Sequence, residues 1–139
     1  MPTHEPHLSA ALALDTVTLA PQALQTLRSL SPGHEGEFMR RVLRTYRQSL
    51  DRYLVDIERG LARGDLPAVR LAAHSLKSSS AQVGALEFSD RCAALEFAAA
   101  GRPKDPSVPL ADLVAAVLAA APAVARAVEA VAAAGESAP

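Results

Sequence analysis

Apolar side chains recur along this chain at intervals of three and four, the spacing that gathers them on one side of an α-helix. The longest run extends from about Glu35 to Leu61. There Met39, Val42, Tyr46, Leu50, Tyr53, Ile57 and Leu61 make one stripe, while Arg40, Arg41, Arg44, Arg47, Arg52 and Arg59 point elsewhere, which predicts a long amphipathic helix over 35–61. Upstream, Pro21 suits a first helical position and Leu24, Leu27 and Leu30 share a side before Ser31-Pro32-Gly33 breaks the pattern, so a short helix is expected over 21–30. Downstream, Gly64 is a stop signal and Asp65 an N-cap for a helix over 66–83 with the stripe Val69, Ala73, Leu76, Ser80 and Val83. Past Gly84, the stripe Ala85, Phe88, Cys92, Leu95 and Ala99 predicts a helix over 85–100. A last helix over 108–134 carries Leu110, Leu113, Val117, Ala121, Val124, Val128 and Val131, with Ser107 as its cap and Pro122 as a kink.

Residues 1–20 hold no sustained period and read as a flexible N-terminal tail with Leu12 and Leu14 as its docking residues; residues 135–139 read as a frayed C-terminus. One short and four longer amphipathic helices, joined by few residues and with no strand to cover, bury their stripes most simply in an all-α fold. The expectation is an antiparallel up-down four-helix bundle with a short additional N-terminal helix, one domain over 21–134. Composition agrees: 30 of 139 residues are alanine and only 4% are aromatic, which favours helices and excludes an all-β fold.

Charge narrows the function. Fourteen Lys+Arg against 15 Asp+Glu, a net −1, argue against broad capture of nucleic acid or insertion at an anionic membrane. A single cysteine, Cys92, rules out an internal disulfide and a cysteine-rich zinc site, and points to a reducing, cytoplasmic compartment. The first ten residues lack the order of a secretion signal, and the stretch Leu110–Ala125, interrupted by Asp112 and Pro122, reads as short of a membrane span.

The candidate chemistry sits on the third helix. At about 100° per residue, His74 lies opposite Val69, Ala72, Ala73, Leu76, Ser79, Ser80 and Val83, and so faces away from the core. It shares its stripe with Pro67, Arg70, Lys77, Ser78 and Ala81, with Leu71 to one side. Singly, His74 is an ordinary solvated histidine, Lys77 a solubilising charge and Leu71 a rim residue. Together they describe an accessible nucleophile with a cation one turn along to meet an anion carried on the ring. Ser78 and Ala81 keep one flank short enough for a second protein to reach the imidazole, and Arg70 and Leu71 are candidate docking contacts. Ser79 and Ser80 point inward and are assigned to packing. The chain has no Gly-rich phosphate loop, kinase nucleotide box, HExxH or nucleophile elbow, and His4, His7 and His34 lack metal-ligand spacing, so no metal site is expected.

The segment AAHSLKSSSAQVGALEFSDRCAALE, Ala72 to Glu96, resembles the histidine-containing phosphotransfer (HPt) domains of bacterial multistep phosphorelays. Their motif is a histidine, a variable residue, an aliphatic residue, lysine, a small residue and serine, with a glycine ten positions after the histidine. His74, Leu76, Lys77, Ser78, Ser79 and Gly84 stand at those places, and Leu86, Cys92 and Leu95-Glu96 look similar to the downstream pattern. Ser78 departs from the glycine common in the family, and as the next smallest polar choice it is expected to keep access to the ring. The resemblance implies a phosphoryl carrier without kinase activity of its own. His74 would accept a phosphoryl group on Nε2 from the aspartyl phosphate of a response-regulator receiver domain and pass it to a second receiver, with Lys77 stabilising its charge. The partners it implies are receivers and a hybrid sensor kinase; it implies no cofactor on this chain, magnesium being held by the receiver. Two alternatives stay open: a non-phosphorylated helical adaptor that binds a signalling partner through the His74/Leu71 face or the Arg-rich second helix, and the phosphoacceptor domain of a chemotaxis-type kinase, which needs a kinase module not present in these residues.

Overall fold

A computed structural model describes residues 16–137, and these form five helices and no strand: α1 (Pro21–Ser29), α2 (Glu35–Arg63), α3 (Leu66–Gln82), α4 (Leu86–Ala99) and α5 (Leu110–Ser137). The protein is all-α. Each of α2 to α5 packs on the next, and α5 returns against α2 to close a ring of four, with α1 laid on α2. Side-chain pairs give the directions. Tyr46 meets Ser80 while Gly60 abuts Val69, so α2 and α3 are antiparallel; His74 meets Glu96 while Lys77 meets Ser89, so α3 and α4 are too.

The stripes converge on one core. Leu43, Leu50, Ile57, Val69, Ala73, Leu76, Cys92, Leu95, Val117 and Val124 are fully buried. Leu43, outside the stripe read for α2, lies in the core because α3 and α5 both pack on this helix and widen the face it must bury. Two polar residues share that interior. The hydroxyls of Ser80 and Tyr46 are hydrogen-bonded at 2.8 Å, and Ser89 bonds a backbone carbonyl of α3, so both buried groups are satisfied.

Some expectations need correction. Residues 16–20 do not hang free: Leu19 is buried, and the Ala20 N–H donates to the Gly84 carbonyl at 3.0 Å. Leu12 and Leu14 lie outside the described residues. Ser107 does not cap α5: its hydroxyl bonds Asp105 Oδ1 at 2.6 Å in the preceding turn, and the Asp112 and Leu113 N–H groups donate to the Pro109 carbonyl. The helix itself continues past the expected end at 134, to Ser137, and runs on through Pro122, whose ring faces solvent. Finally, Leu110–Ala134, with a mean hydropathy of 1.7, is long and apolar enough to cross a membrane, contrary to the shorter stretch read from the sequence. Here its apolarity has another use: Val114, Val117, Ala120, Val124 and Val128 are core residues of the bundle.

Candidate functional site

α3 starts where its sequence says it should. Gly64 takes a left-handed conformation (φ 67°) that ends α2, Asp65 Oδ1 accepts the Ala68 N–H at 3.1 Å, and Pro67 occupies the first turn, where no helical N–H is needed. With Val69, Ala73, Leu76 and Ser80 pinned in the core, the 3.6-residue repeat turns the opposite side outward. His74 is on that side, its side chain 53% exposed, and Arg70, Leu71, Ser78 and Ala81 are exposed beside it. Ser78 and Ala81 help line an open basin next to the imidazole together with Ser75, Ser79 and Gln82. Leu71, 62% exposed, borders a cleft of about 440 Å³ between α2 and α3 that also contains Tyr53, Arg59 and Arg63.

On the other flank is a residue that the sequence marks only by its place in the family pattern. Glu96 of α4 reaches across to α3 with both carboxylate oxygens: Oε2 is 2.6 Å from His74 Nδ1 and Oε1 is 2.7 Å from Lys77 Nζ. The carboxylate is only 16% exposed. Burial alone would raise its pKa, but the contacts to Lys77 and then His74, with the attraction of both positive partners, outweigh that and hold it below the ordinary glutamate value. An ionised carboxylate can only accept, so Nδ1 must be the donor. In the neutral ring this leaves Nε2 without a proton, its lone pair available on the exposed side. Carboxylate-to-Nδ1 contacts select a tautomer in the same way in metal-bound and catalytic histidines.

The Lys77 ammonium already has a partner: the side chain is 32% exposed and paired with Glu96. An ammonium has three N–H donors, so one ion pair does not exhaust it, and helical side chains lean toward the N-terminus, here toward His74. No sequence rule could have paired Glu96 with these residues, since it lies 22 positions from His74 on another helix; its only signal was its place in the Leu95-Glu96 pattern.

The remaining candidates are not chemical. Burial pushes the Cys92 thiol up to about 12, so it is a neutral packing group at physiological pH. Among the described residues no group of three His, Cys, Asp or Glu side chains is placed to hold a metal ion. The arginine face of α2 is largely committed within the fold: Arg47 bonds Glu129 and Asp51, both at 2.7 Å, and Arg40 and Arg44 also have partners in the chain.

His74 is thus an exposed helical histidine whose Nδ1 is held by a carboxylate from the neighbouring helix of a four-helix ring. The family model described as Hpt domain matches residues 41–134, more than half of the chain and the whole of this site. The chain belongs to the HPt family, whose domains carry out histidine phosphotransfer in phosphorelays and interact there with response-regulator receivers. No curated protein and no solved structure matches it.

Proposed function

We propose that this protein is a phosphoryl carrier acting through His74, taking a phosphoryl group from the aspartyl phosphate of one receiver domain and delivering it to the aspartate of another. The observation that supports this reading most directly is the Glu96–His74 contact at 2.6 Å on Nδ1 of an imidazole whose side chain is 53% exposed. The Nε2 lone pair attacks phosphorus, the P–N bond forms, the P–O bond to the receiver aspartate breaks, and the electron pair leaves with that carboxylate. The ring then carries a positive charge that Glu96 offsets, which keeps the adduct reactive enough to be handed on in the reverse sense. Lys77 faces the equatorial oxygens, where charge accumulates in a loose transition state. Magnesium is expected on the receiver and not on this chain, and the carrier has no kinase activity of its own.

The receiver docks on the face that bears Arg70, Leu71, Ser78 and Ala81. Small side chains leave the imidazole reachable, and Leu71 offers apolar area on an otherwise polar surface. A hybrid sensor kinase is the expected upstream donor, in the cytoplasm. In His74→Gln the fold persists, because the site is exposed, and labelling from a phosphorylated receiver is lost. Undiminished labelling of that variant, followed by mass-spectrometric mapping to another residue, overturns the assignment.

A further inference from the structure

Glu96 can serve His74 only if α3 and α4 stand in the right lengthwise register, which apolar packing and polar contacts across the seam set together. A second polar contact crosses the same seam. The Ser89 hydroxyl of α4 donates to the Lys77 carbonyl of α3 at 2.8 Å, and Ser89 is one of two polar residues in the buried interior. Ser89 and Glu96 are seven positions apart, so they lie on nearly the same side of α4, about 10 Å from each other along its axis.

Lys77 spans that interval. Helix carbonyls point toward the C-terminus and side chains lean toward the N-terminus. In an antiparallel pair the Lys77 carbonyl therefore meets the earlier residue of α4, Ser89, while its ammonium meets the later one, Glu96, beside His74. One residue of α3 is held at both ends by two residues of α4. The Lys77 carbonyl lies inside α3 and has a helical N–H as its ordinary partner, so it does not need Ser89 to avoid being orphaned.

From this we infer that Ser89 is a positioning residue for phosphotransfer: its bond to the Lys77 carbonyl locks α4 against α3 so that Glu96 holds His74 Nδ1 and leaves Nε2 poised. The inference rests on the carrier reading for its kinetic consequence, but its structural content stands apart from it.

Ser89→Ala deletes one oxygen and keeps a good helix former, so the variant is expected to fold with a melting temperature lowered by no more than about 5 °C. The ¹⁵N spectrum of the His74 ring reads the positioning directly. In the wild type, at a pH where the ring is neutral, the proton resides on Nδ1; in Ser89→Ala the two tautomers mix, and Ser89→Thr, which keeps the hydroxyl, restores the wild-type spectrum. Transfer from a phosphorylated receiver slows by about tenfold in Ser89→Ala, within the range that sub-ångström misplacement produces. In a Glu96→Ala background the same change has no further effect, because the residue it positions is gone. An unchanged His74 spectrum in Ser89→Ala, an equal slowing with and without Glu96, or outright unfolding of the variant would each sink the inference. Absence of any wild-type labelling would instead defeat the carrier reading, while the spectral comparison would still decide the role of Ser89.

Discussion

At the scale of single residues, the site is a shared carboxylate. Glu96 divides its two oxygens between an imidazole and an ammonium, and each partner limits what the other can do. Truncating Lys77 to Met keeps the helix and removes the cation, leaving Glu96 with His74 alone. The expected result is transfer slowed by about tenfold, equivalent to about 1.4 kcal/mol of transition-state stabilisation, read by quenched-flow phosphotransfer. Rates equal to wild type would remove Lys77 from the mechanism.

The acid side of the pH profile follows from the same carboxylate. Its pKa in the folded protein is lower than in the unfolded chain, where glutamate titrates near about 4.3. The stabilisation it contributes is therefore fully present above that ordinary value and is lost as pH falls through the lower, folded one. Denaturant unfolding of wild type and Glu96→Ala, compared across acid pH, should show a difference that shrinks as the pH falls below the ordinary glutamate value. A difference that grows in acid would mean the contact is not made by an ionised carboxylate.

At the scale of elements, the bundle positions its site through close approaches that glycine permits. Gly84, between α3 and α4, has φ 88°, and a Cβ there would stand 2.6 Å from the Ala20 amide nitrogen. Gly84→Ala should cost about 2 kcal/mol or more, from left-handed strain together with the collision, and should free the segment before α1; urea denaturation and hydrogen exchange at Ala20 measure both. Much of this level was legible beforehand. The Gly64–Asp65 boundary, the inward turn of Ser80 and the outward turn of His74 all follow from local signals and a 3.6-residue repeat, which act within one helix. The cap of α5 was misplaced for a physical reason: Ser107 had a nearer carboxylate, Asp105, to bond. Competition between neighbouring side chains for one hydroxyl is not encoded in periodicity.

At the scale of the whole molecule, one face combines the outer ring nitrogen, the open basin and Leu71. Leu71→Asp should weaken transfer from a receiver without blocking chemical phosphorylation of His74 by phosphoramidate, which needs no docking. Loss of both would show that the substitution had damaged the site itself. Neutralising Arg40, Arg41 and Arg44 together should leave receiver transfer unchanged, since Arg40 and Arg44 already have internal partners; lost transfer would move the docking surface to α2.

Sequence by itself determined the helical class, the core stripes and the side on which His74 emerges, because each depends on spacing within a single helix and on which side chains water excludes. It also supplied Lys77 as a neighbour, since i and i+3 meet on any helix. Tertiary structure alone decided that Glu96 would face both, that Nδ1 rather than Nε2 would carry the ring proton, and that the Lys77 charge would be shared. Those outcomes depend on how far α4 slides along α3, a distance fixed by packing and by contacts such as Ser89 to Lys77 that join residues remote along the chain.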